Sequence, residues 1–281
     1  MLKAIAFDLW ETLITDTPEL SKAQERLRLA KMEEILAKSV GSRQWAVSRS
    51  GGGLLPTADC ELPTAVEHAH RALWHRCHDL YWSSDIDVPC RRQIEHFLEE
   101  LEIDPASFEE SVLEELEHVY ATAALEILPL IVEGAQETLL TLKARGFGVG
   151  LISNTGRTPG SVLRSILGEL GLASSIDVMV FSNEHGQCKP QLSIFEELRR
   201  GLEVRPEEVM FVGDNLYVDV YGAQRSGMKG VYFEPGVRGT AIAPAVDHGL
   251  EIKPDATVRR LSELLRVIEE MNDAIVLSPE P

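Results

Sequence analysis

Short apolar runs alternate with amphipathic stretches along most of the chain. The runs are rich in β-branched or aromatic residues and are bounded by polar or turn residues, which is typical of strands buried on both faces. They predict strands at 2–8, 148–154, 177–183 and 208–214, and a weaker strand at 229–235. Helical periodicity predicts amphipathic helices at 133–146, 193–203 and 257–274. Strands that alternate with helices indicate an α/β fold, in which helices cover both faces of a parallel sheet.

The stretch from 16 to 128 follows a different pattern. Helix-forming residues dominate it, and no run within it predicts a strand. We therefore expect a core built from 1–15 and 129–275, an inserted all-helical domain at 16–128, and a disordered tail at 276–281. Residues 39–63 combine Gly, Ser and Pro and predict a long loop, which in a compact domain is usually either functional or mobile.

Charge and composition narrow the class of partner. The formal net charge is -18, from 45 acidic and 27 basic residues, so we expect neither nucleic acid nor a membrane as a partner. A small anionic substrate is compatible with this charge if cations are concentrated locally. We expect no signal peptide or membrane span, and the four cysteines form no CxxC pair, so the sequence predicts a cytoplasmic protein with reduced thiols. Nothing in the sequence indicates the oligomeric state.

Polar residues that could take part in catalysis or ligand binding stand where the predicted strands end. Asp8 closes the first strand, Ser153 and Asn154 close the second, and Asp214 closes the fourth, while Lys189 follows the third. Ligands of open parallel sheets bind outside the carboxyl ends of the strands. Two carboxylates, a lysine and a hydroxyl at this edge suit Mg²⁺ and a phosphate, with a carboxylate as the attacking group.

Four motifs extend this pattern. They are DxDxT with a Trp in the third position (Asp8, Trp10, Thr12), a Ser that ends an apolar strand (Ser153), a Lys-Pro pair followed by Phe (Lys189, Pro190, Phe195), and GDxxxxD (Gly213 to Asp219). In this order they resemble the haloacid dehalogenase-like superfamily, in the subfamily with a helical cap inserted after the first strand. The resemblance covers roughly 1–15 and 129–268, and it implies a Rossmann-like core with an all-helical cap domain.

The resemblance also implies catalytic roles. Asp8 would be the nucleophile that becomes covalently modified. Thr12 and Ser153 would hold oxygens of the transferring group, and Lys189 would neutralise its charge. Hydrolysis of a small phosphorylated metabolite through an aspartyl-phosphate is the activity that this set implies.

A metal site and substrate contacts follow from the same resemblance. Asp8, Asp214 and the main-chain carbonyl of Trp10 would bind Mg²⁺, and Asp219 would be a further ligand or a nearby acid. The side chains predicted to line the substrate are Trp10, Asn154 and Asn215.

Trp10 departs from the pattern of the family's phosphatases. They carry an aspartate at this position, which protonates the leaving group and activates water, a role worth roughly 10²–10⁴-fold in rate. Indole can do neither. The superfamily's 2-haloacid dehalogenases carry a tyrosine there, because halide needs no proton, and they use no metal.

The fourth motif favours the phosphatase interpretation. The dehalogenases replace its first acid with serine and place asparagine two residues later, whereas this chain has Asp214 and Leu216. They also carry tyrosine where this chain has Phe195. A metal-independent dehalogenase and a catalytically degenerate phosphate-binding member stay open as alternatives.

Two routes around the missing acid are open. The substrate could carry a good leaving group, such as an acyl, aryl or anhydride phosphate, or Glu11 could reach the leaving group. The alternative interpretation of Glu11 is a surface residue at the start of the cap linker, and that of Trp10 is a wall of the pocket.

The cap carries no motif that identifies a substrate. Its candidate contacts are Arg71 and His75, with Arg43 and Arg49 in the long loop. The cap histidines at 68, 70, 75 and 78 show no ligand spacing of a metal site.

Overall fold

The computed structural model describes residues 1–40, 62–234 and 249–277, and a parallel sheet forms the centre of this part of the chain. The strands are β1 (Ala4–Phe7), β2 (Ile14–Thr15), β3 (Leu130–Ile131), β4 (Gly148–Ser153), β5 (Val178–Phe181), β6 (Val209–Gly213), β7 (Lys229–Phe233) and β8 (Ala256–Val258). The helices are α1 (Pro18–Val40), α2 (Leu62–Leu80), α3 (Cys90–Glu100), α4 (Glu110–Glu126), α5 (Ala135–Ala144), α6 (Gly160–Glu169), α7 (Ser182–His185), α8 (Leu192–Leu202), α9 (Gly222–Arg225) and α10 (Leu264–Leu277). A π-helical turn spans Leu216–Tyr221.

Within the described residues the main sheet has six strands in the order β5-β4-β1-β6-β7-β8, and every neighbouring pair is parallel. The strand β1 is fully buried because β4 flanks it on one side and β6 on the other. Its last residue, Phe7, pairs with Leu151 and with Val212. The residues that follow these strands therefore meet at one edge of the sheet.

Alternation along β1 divides the core into two apolar layers. Ile5 and Phe7 belong to the layer beneath α5, α6 and α10. Ala4 and Ala6 belong to the opposite layer, which α8 and α9 cover. The predicted α/β fold, with a Rossmann-like parallel sheet covered on both faces, is confirmed.

The helices α1–α4 pack around an apolar cluster of their own, which includes Met32, Leu73, Phe97 and Tyr120. Where the chain enters and leaves these helices, β2 and β3 pair as a short antiparallel ribbon. The helical cap of the predicted fold is therefore present. The domain boundaries at 15/16 and 128/129 stay a prediction.

The helix predicted at 257–274 is wrong at its start. The chain forms β8 at the sheet edge and a 3-10 turn at Leu261–Glu263 before α10 begins at Leu264. Three residues are too few to show a strand period, and the buried Val258 fits a strand and a helix equally well.

Some sequence predictions fall outside the described residues. Residues 41–61, which make up most of the predicted loop at 39–63, lie outside them together with Arg43, Arg49 and Cys60. Of the predicted tail, 276 and 277 end α10, and 278–281 lie outside. The three described cysteines, Cys77, Cys90 and Cys188, are buried free thiols. None of the helices in the described ranges is long and apolar enough to cross a membrane.

Candidate active site

Lys189 lies at the centre of the polar edge of the sheet, and it is only 2% exposed. Its ammonium donates to Oδ1 of Asp8, to Oδ1 of Asp219 at 2.7 Å and to the carbonyl of Ile152 at 3.1 Å. Burial alone would lower the pKa of Lys189, but the two carboxylates outweigh it and raise that pKa above its usual range. Lys189 is therefore a buried cation that two carboxylates share.

A glycine gives Asp219 its position. Any side chain at Gly213 would place a Cβ inside the van der Waals contact distance of the Asp219 carboxylate. The second oxygen of this carboxylate accepts from the main-chain N–H of Asn215 at 3.0 Å. The glycine of the GDxxxxD motif thus has a steric cause. A side chain on the last residue of β6 would occupy the space that the Asp219 carboxylate fills.

Three carboxylates, those of Asp8, Asp214 and Asp219, converge so closely that one oxygen from each lies within 4.8 Å of the others. Burial raises the pKa of Asp214 to about 8, and the charges of Asp8 and Asp219 add to this rise. Burial also raises the pKa of Asp8 to about 6, against the opposing effect of Lys189. One ammonium does not balance three carboxylates, so the donor set fits a hard divalent cation such as Mg²⁺.

Two hydroxyl groups near this cluster have spare hydrogen-bonding capacity. Thr12 is fully buried, and its Oγ1 is the buried side-chain oxygen or nitrogen of the described residues that has no hydrogen-bond partner. Buried hydroxyls are normally bonded, so such an atom points to a ligand. Ser153 makes only a long contact of 3.4 Å to the carbonyl of Asn154.

The side chains of Asn154 and Asn215 form hydrogen bonds with main-chain groups. Asn154 accepts from the N–H of Lys189 at 2.8 Å and donates to its carbonyl at 3.1 Å. The side-chain oxygen of Asn215 caps the π-helical turn by accepting from the N–H groups of Tyr217 and Val218. Asn154 therefore fixes the lysine, a role that the sequence did not indicate. Substrate contacts by Asn154 and Asn215 stay predictions.

Trp10 and Glu11 lie in a tight turn after β1. Trp10 is half-buried and packs against the apolar layer beneath α5 and α6. Glu11 has a positive φ of 60° and is 7% exposed, and its carboxylate accepts from the hydroxyl of Thr15 at 2.8 Å. The interpretation of Glu11 as a surface residue is wrong, because the turn tucks its side chain inward. There it lies close enough to raise the pKa values of Asp214 and Asp16.

Asp87 links the cap to the core, and sequence reasoning missed it. Its Oδ2 accepts from the hydroxyl of Thr155 at 2.8 Å and from that of Ser182, and all three side chains are buried. The neighbouring Ile86 forms a β-bridge with Gln187, two residues before the lysine. Ser182 follows the end of β5, which is a usable signal, but no pattern around Asp87 distinguishes it from other cap acids.

The candidate cap contacts on α2 lie away from the helix interface. Arg71 and His75 are exposed, on the side opposite the buried residues Val66, Leu73 and Cys77. His70 is the buried member of the histidine group, at 5% exposure.

A parallel α/β sheet with a helical cap and a carboxylate–lysine cluster at its carboxyl edge defines a capped hydrolase of the Rossmann-like class. The family described as haloacid dehalogenase-like hydrolase matches residues 2–227, and the chain belongs to that family.

Curated relatives match about half of this chain. A glyceraldehyde 3-phosphate phosphatase of Pyrococcus furiosus is 36% identical over 143 residues, which are 50% of this chain and 55% of the relative. A ribulose-1,5-bisphosphate 5-phosphatase of Halopiger xanaduensis is 31% identical over 149 residues, 53% of this chain and 61% of the relative. The chain thus spans little more than half the length of these relatives.

Solved structures match nearly the whole chain. A 2-haloacid dehalogenase from Pseudomonas syringae pv. Tomato DC3000 is 24% identical with a TM-score of 0.62, over 96% of this chain and 100% of that structure. A HAD phosphatase from Thermococcus onnurineus is 22% identical with a TM-score of 0.55, over 95% and 98%. At these identities the likeness establishes the fold alone.

Proposed function

We propose that this protein is a Mg²⁺-dependent phosphatase that hydrolyses a small phosphorylated metabolite through an aspartyl-phosphate on Asp8. The observation that carries the proposal is the convergence of Asp8, Asp214 and Asp219 around Lys189. A metal-independent reaction has no use for so many buried acids, whereas phosphoryl transfer needs a divalent cation. The names of the two curated relatives, both phosphatases of small sugar phosphates, support the same class.

In the first step a carboxylate oxygen of Asp8 attacks phosphorus, and the bond from phosphorus to the leaving oxygen breaks. Lys189 offsets charge on the equatorial oxygens, and the hydroxyls of Thr12 and Ser153 donate to them. In the second step water hydrolyses the acyl phosphate, which releases inorganic phosphate and restores Asp8.

The residues that would hold the metal are Asp8, Asp214 and the main-chain carbonyl of Trp10, with Asp219 as a further acid. Bound Mg²⁺ would supply charge neutralisation of the phosphoryl oxygens. Because the ammonium of Lys189 donates to a carboxylate oxygen of Asp219, the lysine also fixes the position of that side chain.

Trp10 shapes the choice of substrate, since it cannot protonate a departing alkoxide. Substrates with acyl, aryl or anhydride phosphates need no such proton. The buried side chain of Glu11 is the second route, because it lies near enough to Asp214 to contribute to the raised pKa of that acid.

The rival activity is dehalogenation of a 2-haloacid through an ester on Asp8. The aromatic side chain of Trp10 favours it, since halide leaves without a proton. The acid cluster opposes it, because Asp8 and the two carboxylates beside it, Asp214 and Asp219, would repel a carboxylate substrate unless a cation offsets them.

The test compares three substrate classes in Mg²⁺ and in excess chelator. They are aryl and anhydride phosphates, sugar phosphates, and 2-haloacids. We expect Mg²⁺-dependent phosphate release, fastest with the aryl and anhydride phosphates, and none after Asp8→Asn. Mass spectrometry after an acid quench should find a phosphoryl group on the peptide that contains Asp8.

Asp104→Asn is the matched control, because Asp104 is an exposed acid of the cap. It should retain the wild-type rate. Halide release that resists the chelator would establish the dehalogenase instead, and phosphate binding with no release of either product would establish a non-catalytic member.

A further inference from the structure

A buried arginine of the cap is left without a counter-charge. Arg28, on α1, is 3% exposed, and its Nε donates to the carbonyl of Tyr120 at 2.8 Å. Its guanidinium carbon lies 5.5 Å from the centre of the Tyr120 ring. Within the described part of the chain, its two terminal nitrogens have no hydrogen-bond or ion-pair partner, and unlike Oγ1 of Thr12 they are not fully enclosed by protein. An unpaired guanidinium is costly to bury, so this one is arranged for a ligand or a partner charge.

A second arginine comes from the core. Arg157 lies on the loop after β4, four residues beyond Ser153, and its guanidinium carbon is 4.8 Å from the centre of the Trp74 ring. Among the described residues it makes no ion pair with a carboxylate. The loop is fixed against the cap, because Gln93 donates to the carbonyl of Gly156 at 2.8 Å.

The two arginines lie in one electrostatic environment. Burial and the charge of Arg157 lower the pKa of Arg28 to about 10. Burial, Arg157 and Arg28 together lower the pKa of His70 to about 3, so its imidazole is neutral near pH 7. The ring of His70 lies 6.3 Å from that of Tyr120, edge to face. The hydroxyl of Tyr120 donates to Gln93 at 2.9 Å, and Gln93 donates to the loop that carries Arg157, so hydrogen bonds connect the surroundings of the two arginines. Together Arg28, His70, Trp74, Tyr120 and Arg157 form a positively charged group of side chains, which we call the arginine cluster.

Nearby acids do not neutralise the arginine cluster. Glu25 is half-exposed and contacts His70 Nδ1 at 3.4 Å, without reaching ion-pair distance of Arg28. The charge of Arg28 lowers the pKa of Asp16 slightly, but the hydrogen bond that Asp16 accepts comes from Gln24 and not from Arg28. The surplus of positive charge persists in a protein with a formal net charge of -18.

The arginine cluster lies on segments that connect directly to the candidate active site. Arg157 shares its loop with Ser153 and Asn154. Arg28 lies one helical turn after Gln24, which donates to Asp16 in the segment that follows Asp8. A ligand that extends from Asp8 into the cap would pass along these two segments.

We propose that Arg28 and Arg157 bind a second anionic group of the substrate, a carboxylate or a second phosphate. Guanidinium groups suit this task, because their planar fork matches both carboxylate and phosphate oxygens. The stacked Trp74 holds Arg157 in place, and neutral His70 can add a hydrogen bond. The inference rests on the proposed phosphatase function, and it narrows the substrate class to small metabolites with two anionic ends.

The test uses a series of phosphate monoesters whose carbon chains contain two to five carbons. Each chain length is made in three forms, ending in a neutral alcohol, a carboxylate or a second phosphate. Their affinities are measured as inhibition of aryl phosphate hydrolysis and, independently, as ligand-induced shifts of the melting temperature. We expect a doubly anionic form to bind about 10- to 100-fold more tightly than its neutral partner at the matching length. Comparison of the carboxylate with the phosphate arm identifies the second group.

Arg28→Met and Arg157→Met should remove this preference while the neutral forms keep their affinity within about twofold. Arg157 is half-buried, so its variant remains informative even if the buried Arg28→Met fails to fold. The matched control is Arg164→Met, because Arg164 also stacks on an aromatic ring, Phe181 at 4.6 Å, but pairs with Glu184. It should leave the preference intact.

The inference is overturned if no chain length shows a preference, or if the preference survives Arg157→Met. These outcomes differ from failure of the proposed function, in which no phosphate ester or anhydride is hydrolysed. In that case the melting-temperature shifts still report whether the arginine cluster selects doubly anionic ligands.

Discussion

The ammonium of Lys189 lies 2.7 Å from a carboxylate oxygen of Asp219, and each of the two side chains is only 1% exposed. Lys189 therefore has a structural role, in addition to the catalytic role that we propose for it. Its removal leaves buried carboxylates that have lost their partner. In Lys189→Met we expect the free energy of unfolding to fall by about 3–5 kcal/mol at neutral pH. Denaturant unfolding in the presence of a chelator measures the loss, and Mg²⁺ should restore part of it.

The control for this prediction is Lys143→Met. Lys143 pairs with Asp177, but the two side chains are 36% and 39% exposed. A solvent-exposed ion pair contributes at most about 1 kcal/mol. Equal losses in the two variants would contradict the structural role of Lys189.

Replacement of Trp10 by aspartate should change which leaving groups are accepted. The new carboxyl would stand where the family's phosphatases carry their general acid. We expect hydrolysis of alkyl phosphates to rise by roughly 10²-fold, and that of aryl phosphates to change much less. Steady-state rates for a series of esters, plotted against the pKa of the leaving alcohol, should show a flatter dependence in Trp10→Asp. Trp10→Phe is the control and should keep the steep dependence, while an unchanged slope in Trp10→Asp would exclude Trp10 as its cause.

Asp16 should make stability depend on pH. Burial raises its pKa from 3.8 to about 6, so the folded state holds the proton more tightly than the unfolded state. As pH rises from about 4 to about 6, the unfolded state ionises first, and Asp16 increasingly disfavours folding. Asp16→Asn keeps an oxygen for the Gln24 hydrogen bond without the charge. We expect this variant to gain roughly 1–2 kcal/mol over the wild type above pH 6, a value discounted for solvent screening, and little below pH 4. Urea unfolding at several pH values measures the difference, and a constant gain would contradict the assignment.

Asp87 should be needed to hold the cap on the core. Asp87→Ala removes the acceptor of two buried hydroxyls, Thr155 and Ser182. An unmade buried hydrogen bond costs about 1–3 kcal/mol, so the free energy of unfolding should fall by at least roughly 2 kcal/mol. Thermal unfolding compares this variant with Asp79→Ala, whose carboxylate is 77% exposed. Similar melting temperatures for the two variants would show that this contact is dispensable.

Strand ends were the most reliable guide to the site. The apolar runs fix where β1, β4 and β6 stop, and parallel pairing then brings Asp8, Ser153 and Asp214 to one edge. The strand β8 was missed because it is short and lies at the sheet edge. The interpretation of Glu11 as a surface residue is wrong because this residue adopts a positive φ, and periodicity does not predict a turn of this kind.

Contacts between the cap and the core cannot be predicted from the sequence patterns. Arg28 and Arg157 are far apart in the chain, and neither lies in a motif. Their proximity depends on how α1 and the loop after β4 pack in three dimensions, which periodicity within one element does not specify. The same holds for Asp87 and Ser182.

The central position of β1 has a consequence for biosynthesis. Of the strands in the described part of the chain, β1 is made before both of its neighbours, and one of them, β6, ends at Gly213. Until that residue has emerged from the ribosome, one edge of β1 has no partner, and Asp8 lacks the acids that follow β6. The helices of the cap contact one another through α1–α4 and emerge well before β6. During translation the cap helices can therefore fold while the cluster of Asp8, Asp214 and Asp219 is still incomplete, and that cluster can form only after β6 and Asp219 have been made.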